Sequence, residues 1–503
     1  MNHSYSNAEW VGLSIVVISV VLLASSIIRR RVPVLAALFI PTAVIAGFVI
    51  LLVGPQALGS WTDSQGLIPE RVLSVWSVLP GLLINVVFGA VMLGKRLPRV
   101  REIWNASAPH VIMGATFSFG QFALGSLLVV LVLNPLFGLS KLAGSIIEMS
   151  FAGGHGTIAG MGPLLRDGGA PELVALGLGL ATISMVTGIV GGSLIVRYAI
   201  ANPRIPVARQ TPPSRDEALD LAEARIPPTD EQPVEDETNR GMAPVTVAFM
   251  AIGLAIGLAI AILHALRAIF GAFGSSVFDD FPLFPFTVIG GFLIQALATR
   301  LGLDHYIEKR SVSGISALCL DMLIACAIGT MSLATLGDNI PVLIILTVVA
   351  VAWSVLGTLY LGPLIHRRDW FEHALADYGQ SQGNVATGFV LADMADPDRL
   401  TNTANAYGYK QLTYEPLLGG GLITAFSVPI IEQWGTLAFG LVTAAIAVAL
   451  IAWGARRGNP AGVPATGSAG SGSSRESEAN TRNRVVQASD ATPMPRPSRQ
   501  YGE

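Results

Sequence analysis

The chain has 503 residues, of which 52% are hydrophobic and 13% charged, with a net charge of −3 and a mean hydropathy of +0.59. Soluble domains carry about 25% charge, so the composition excludes an ordinary soluble protein and places the chain in a lipid bilayer. A net charge so near zero gives no reason to expect a nucleic-acid partner.

Apolar runs long enough to cross a bilayer, roughly 17–25 residues, recur along the chain. In the first half, 1–200, spans are predicted at 11–29, 33–54, 74–94, 111–134 and 172–197. The run at 11–28 is too long for a cleavable signal peptide, and no small-residue cleavage site follows it. The segment 141–165 does not fit the span pattern, because Gly153-Gly154-His155-Gly156-Thr157 interrupts it. Each helical Gly costs about 1 kcal/mol relative to Ala, so the helix stops there. Pieces of about ten residues reach about 15 Å, half of the hydrocarbon core, and the segment is predicted to be a re-entrant hairpin. Residues 201–242 are rich in Pro, Asp and Glu. They cannot bury a core and read as a flexible acidic linker.

The second half, 243–458, carries predicted spans at 244–270, 283–299, 311–331, 340–364, 405–430 and 434–456. Cys319 and Cys326 share one predicted helix, seven residues apart. That is about 10 Å, too far for a disulfide. A second broken segment, 370–395, is interrupted at Gly379-Gln380-Ser381-Gln382-Gly383-Asn384. The tail, 459–503, is Gly/Ser/Pro-rich and reads as disordered.

Charge placement gives an orientation. With the N-terminus outside and both broken segments as hairpins, eighteen Lys and Arg fall on cytoplasmic flanks, at 29–31, 95–101, 197–204, 300–310, 367–368, 399, 410 and 456–457. Four fall outside: Arg71, Lys141, Arg166 and Arg267. Lys/Arg excess marks the cytoplasmic side, so linker and C-terminus are expected in the cytoplasm.

The halves echo one another. Pro41-Thr42-Ala43-Val44-Ile45-Ala46-Gly47-Phe48-Val49-Ile50 matches Pro285-Phe286-Thr287-Val288-Ile289-Gly290-Gly291-Phe292-Leu293-Ile294 at six of ten positions. Leu133-Asn134-Pro135-Leu136 is echoed by Leu361-Gly362-Pro363-Leu364 before the second break. The matched spans run in opposite directions. The fold expected is an all-α integral membrane protein of two inverted-topology repeats of about five spans, each with a re-entrant hairpin, plus one extra C-terminal span. Inverted repeats with half-helix ends aimed at the midplane are the build of secondary transporters.

The chemistry follows from the breaks. Backbone N–H groups at the start of the second half-helix, with its dipole, attract anions. At the first tip these belong to Gly154, Gly156 and Thr157, and at the second to Gly383, Asn384 and their neighbours. No Lys or Arg lies in the predicted core, so the anion is expected on backbone donors, helped by His155. His155 reads either as a hydrogen-bonded residue fixing the loop or as a carboxylate contact or proton carrier. Freed carbonyls and Ser/Thr/Asn oxygens suit a hard cation such as sodium, which makes Ser150 and Ser381 candidates. Aligning the third spans of the two halves sets Asn85 opposite Asp321. An intramembrane acid is a functional candidate by default, though an inter-helix hydrogen bond is the plainer reading. Asp377 and Asp393 flank the second tip. No HExxH, GxSxG or metal-spaced His/Cys cluster occurs at membrane depth, so neither catalytic residues nor a cofactor is expected.

Leu142-Ala143-Gly144-Ser145-Ile146 followed by Gly153-Gly154-His155-Gly156-Thr157 resembles the signature of the bacterial sodium/glutamate symporter family. Further matches are Met331-Ser332-Leu333, Arg368-Asp369, Gly383, Ala386-Thr387 and Ala392-Asp393-Met394. Gly388 and Asp393 stand where the family usually shows Pro and Asn. The resemblance implies sodium-coupled uptake of glutamate or a similar small carboxylate, L-glutamate being favoured. It also implies a cell-membrane location and a homodimer that moves a transport domain past a scaffold. The expected substrate set is Gly153, Gly154, His155, Gly156, Thr157, Gly383, Asn384 and Thr387. Asn85, Asp321, Ser150, Ser381 and Asp393 form the cation set. Two alternatives stay open: a proton-coupled carboxylate transporter using His155, and a cation/proton antiporter resting on Asp321.

Overall fold

In hydrocarbon a segment must satisfy its own backbone donors and acceptors, and a helix does so within itself. The computed structural model describes residues 6–38, 40–95, 100–208, 242–274, 278–279, 281–397 and 400–458, and among these the only regular structure is helical. Most of the predicted linker (209–241), the predicted tail (459–503) and Arg96, Arg99 and Arg399 lie outside the described residues.

In chain order the first half gives α1 (Asn7–Arg31), α2 (Thr42–Val53), α3 (Glu70–Ala90), α4 (Val100–Leu128), α5 (Ile146–Phe151), α6 (Gly154–Asp167) and α7 (Glu172–Ala201). The second gives α8 (Pro244–Ala272), α9 (Phe284–Leu301), α10 (Lys309–Gly329), α11 (Ile340–Leu356), α12 (Trp370–Ser381), α13 (Val385–Ala395), α14 (Thr403–Tyr414), α15 (Leu422–Trp434) and α16 (Thr436–Gly458). With the short turns that prolong some of them, ten of the described helices (α1–α4, α7–α11 and α16) are long and apolar enough to cross a membrane.

Two predicted spans are corrected. Within 33–54, Pro33–Ala37 is a separate short helix, and the helix of spanning length begins at Thr42 and is prolonged to Thr62. The stretch 405–430 is not a continuous helix but divides into α14 and α15. Pro416 has no N–H to continue the ladder. Gly419 and Gly420 then take φ of +64° and +100°, backbone that favours glycine. The high apolar content of the stretch conceals this third break.

α4 and α11 end alike. Each loosens into a π turn, Val129–Leu133 and Gly357–Leu361, followed by a short turn carrying Pro135 or Pro363. The proline ring clashes with the carbonyl four residues back, and a wider turn accommodates it. Cys319 and Cys326 are both free thiols.

Met1–Gly458 is one compact unit, and inside it packing sorts the helices into two sets. α1, α2 and α3 pack with α8, α9 and α10, while α4–α7 pack with α11–α16. Close approach within the first set uses small residues. A Cβ on Gly290 or Gly291 would collide with the backbone of Ala255 on α8 or Gly89 on α3, the small-residue contact typical of helices packed in lipid. With smaller contacts of α15 on α9 and α7 on α10, the sets meet chiefly where α6 touches α3 and α10. A cavity of about 590 Å³ opens there, lined by Ser77 and Asn85 of α3, Ala159, Pro163 and Arg166 of α6, and Ala327 of α10.

Candidate functional site at three helix breaks

The first break closes α5 on itself. The N–H groups of Ala152 and Gly153 both donate to the Glu148 carbonyl, at 3.0 and 2.9 Å. Gly154 then takes φ +74°, and α6 starts in a new direction. Thr157 Oγ1 ties the turn by donating to the Gly153 carbonyl at 2.9 Å. The first-turn N–H groups of α6, from Gly154 to Gly156, are donors that a helix leaves without intrahelical partners. His155 is buried, with Nε2 2.9 Å from Thr182 Oγ1 on α7. The single Thr182 hydroxyl proton goes to the Leu178 carbonyl. The oxygen therefore accepts from His155, which assigns a proton to Nε2.

The second break lies between α12 and α13. Gln382 closes α12, and Asn384 caps α13 through its Oδ1, which accepts from the Thr387 N–H at 2.9 Å. Gly383 N–H turns back to the Gln380 carbonyl at 3.4 Å. The arms approach at glycine: a Cβ on Gly379 would lie 2.7 Å from the backbone of Gly388. Helices of the same set hold this tip. Gln121 Nε2 on α4 donates to the Ser381 carbonyl at 3.0 Å, and Thr187 Oγ1 and Gln382 Oε1 on α7 and the tip lie 3.0 Å apart.

The two tips adjoin. A Cβ on Gly154 would sit 3.5 Å from the Gly383 carbonyl oxygen. The third break lies against the first: Gly420 faces Thr157 Oγ1 so closely that no Cβ would fit. The buried Glu148 joins them, its Oε1 accepting from Gly419 N–H at 2.9 Å and from Thr424 Oγ1 at 3.0 Å. Three breaks, 153–154, 382–384 and 415–421, thus converge on one region, with glycine at every point of closest approach.

The cation candidates fall in different places. Ser150 and Ser381 are buried at the ends of α5 and α12. Ser150 Oγ has no hydrogen-bond partner among the described residues, whereas Ser381 Oγ donates to the Tyr378 carbonyl at 2.9 Å. Asp393 is buried on α13. Asn85 is half-buried on the wall of the cavity between the two sets, its Nδ2 donating to the Gly81 carbonyl at 2.9 Å. Asp321 is exposed on α10, beside Leu320, whose side chain would meet a Cβ on Gly156 at 3.1 Å.

One expectation is overturned. Lys410, expected on a cytoplasmic flank, is fully buried on α14, so the core does contain a lysine. Its Nζ donates to Asp377 Oδ1 at 2.8 Å and to Gln380 Oε1 at 2.7 Å, and lies 4.3 Å from the centre of the Tyr414 ring. The other Asp377 oxygen takes His110 Nδ1 at 2.9 Å and His366 Nε2 at 3.2 Å. Burying a lysine requires a paired, hydrogen-bonded charge, and Asp377 supplies it. The visible signal is Tyr407, Lys410 and Gln411, polar residues at i, i+3 and i+4 that share one buried face of α14.

A protein-family model described as the sodium/glutamate symporter matches residues 11–366. The match runs from α1 to the turn after α11, includes the first break, and ends just before α12. No curated protein and no solved structure gives a match. The matched residues are well over half of the 503, and with ten described helices fit to cross a bilayer the chain is a multi-pass membrane protein of the sodium/glutamate symporter family.

Proposed function

We propose that the protein uses a sodium gradient to drive uptake of glutamate or a closely similar small carboxylate, through a site between the first and second breaks. The adjoining of Gly154 and Gly383 carries this reading. It sets the start of α6 against the turn that leads into α13, and first-turn donors of the two helices would suit one anion. Gly153, Gly154, His155, Gly156 and Thr157 would form one wall, and Gly383, Asn384 and Thr387 the other. Lys410 is already paired with Asp377, so the backbone remains the anion's principal partner. Sodium is assigned to the oxygen side of the breaks, first to Ser150 and Ser381. Asn85, Asp393 and Asp321 are proposed to join them through movement of the two sets.

In this reading 1–200 and 243–458 are inverted repeats, and 141–165 and 370–395 are re-entrant hairpins. The matching π turns and prolines of α4 and α11 support the repeat. α14 and α15 cross in series as one broken span. The N-terminus is outside, and the linker 201–242 and tail 459–503 are cytoplasmic. With Lys410 removed from the cytoplasmic group the Lys/Arg split is seventeen to four, still strongly one-sided. The first set of helices is proposed as the scaffold of a homodimer and the second as the moving part. The decisive experiment is uptake of labelled glutamate and other dicarboxylates into proteoliposomes with and without an inward sodium gradient. Uptake that ignores sodium, or takes no carboxylate, would refute the proposal.

A further inference from the structure

Away from the breaks, His110 comes together with His366 and His373, a pair seven residues apart in the other half of the chain. His110 lies on α4, His366 follows the turn after α11, and His373 stands in the first turn of α12. One ring nitrogen from each lies within 4.8 Å of the others. His373 is eight residues from Ser381 along α12, about 12 Å, so the cluster is separate from the proposed substrate site. The proposal below does not depend on that site.

We propose that His110, His366 and His373 bind a divalent transition metal of the zinc class. Their ring nitrogens are the first requirement. Neutral imidazole is a ligand for zinc and its neighbours, whereas sodium takes oxygen. Orientation is the second. His110 Nδ1 is 2.9 Å from Asp377 Oδ2, and Asp377 is ionised against Lys410 at 2.8 Å. The carboxylate therefore accepts a hydrogen bond from His110 Nδ1–H, which keeps the proton on Nδ1 and leaves a lone pair on Nε2. A carboxylate behind the histidine is the usual outer-shell partner of a metal-bound imidazole, fixing its tautomer and raising its basicity. His366 Nε2 leans on the same oxygen at 3.2 Å.

Spacing is the third requirement. His110 Nε2 and His373 Nδ1 are 2.7 Å apart. Two lone pairs cannot face each other at that distance, so one proton or one cation must lie between them. Tetrahedral zinc with bonds of 2.0–2.1 Å sets its nitrogens about 3.3 Å apart, so this pair would open by about 0.6 Å and the wider separations would close. The rings of His366 and His373 lie nearly parallel at 5.3 Å, and His110 stands edge-on to both. His110 and His366 are buried while His373 is half-buried, so His373 is the member of the cluster nearest solvent.

The test uses the full chain purified without a histidine tag, loaded with zinc chloride and desalted, with retained metal counted by mass spectrometry. We expect about one zinc per chain, at least tenfold weaker retention in His366→Gln and His373→Gln, and no change in His264→Gln, whose side chain is exposed on α8. Cobalt in place of zinc should give the intense visible bands of a four-coordinate site with nitrogen ligands, a readout on the unmutated protein should the variants misfold. No retained zinc, retention unchanged in His373→Gln, or a weak six-coordinate cobalt spectrum would each overturn the proposal. So would a proton relay through these histidines with no zinc bound.

Discussion

The buried Lys410–Asp377 pair lends itself to a quantitative test. Lys410→Met keeps an unbranched apolar stem of nearly the same length and removes the charge. Gln380 Oε1 keeps a partner, since Gln411 Nε2 also donates to it at 3.0 Å. What is stranded is the Asp377 carboxylate, fully buried, with only His110 and His366 left to answer its charge. Removing one partner of a buried pair costs about 3–5 kcal/mol. The two remaining imidazole donors place Lys410→Met near about 3 kcal/mol, the low end of that range. Asp377→Asn in the same chain removes the stranded charge, and replacing both members of a buried pair is often near neutral. The double variant should therefore be more stable than Lys410→Met alone. Denaturant or thermal unfolding in detergent, followed by tryptophan fluorescence, measures all four corners of the cycle. A Lys410→Met protein within about 1 kcal/mol of the parent, below the range for a broken buried pair, would refute the reasoning. So would a double variant whose loss equals the sum of the single ones.

Three more outcomes are expected. At Gly154 a methyl has space, its nearest contact being 3.5 Å away, so the cost of Gly154→Ala is the left-handed backbone, about 1–2 kcal/mol; it should reduce uptake, and Gly154→Val should abolish it while the protein still inserts, whereas normal substrate binding by the valine variant would remove Gly154 from the site. Glu148→Ala takes the acceptor from the Gly419 N–H, and an orphaned buried donor costs about 1–3 kcal/mol; the melting temperature should fall, and an unchanged one would show that water replaces the carboxylate. Cysteine introduced as Asp63→Cys should react with an impermeant thiol reagent from outside and Asp220→Cys only from inside, and external labelling at 220 would sink the proposed orientation.

Some of this architecture was legible from local chemistry and some was not. The first two breaks could be read because glycine clusters interrupt apolar runs at Gly153–Gly154 and Gly379–Gly383, where nothing in a helix calls for glycine. The third escaped because Gly419, Gly420 and Gly421 stand among Leu417, Leu418, Leu422 and Ile423, and hydropathy averages over them. Lys410 escaped for a related reason. A lysine near the end of a span is ordinarily an interfacial anchor, and only the partner contributed by Asp377, thirty-three residues away, makes burial tolerable. The histidine cluster was invisible to any spacing rule, since His110 comes from the opposite half of the chain. Local backbone propensity is written in sequence windows, whereas the pairing of buried charges is a property of the packed whole.

The convergence of the three breaks has a physical reason beyond any role in transport. Each break frees donors and acceptors in a medium that offers no water, and scattered breaks would each need a separate polar lining. Brought together, they answer one another. Glu148 beside the first break takes the Gly419 N–H of the third, Asn384 caps its own half-helix, and Gln121 takes the Ser381 carbonyl at the second. The groups so satisfied are those that hold the breaks in shape. The first-turn N–H groups of α6 have no such capping side chain: its N-cap is Gly153, which has none to offer. The second tip is capped and the first is not, so the uncapped end, with Gly154 and His155 at its start, is where a bound carboxylate has most to contribute. Substrate binding is accordingly expected to order the first tip more than the second.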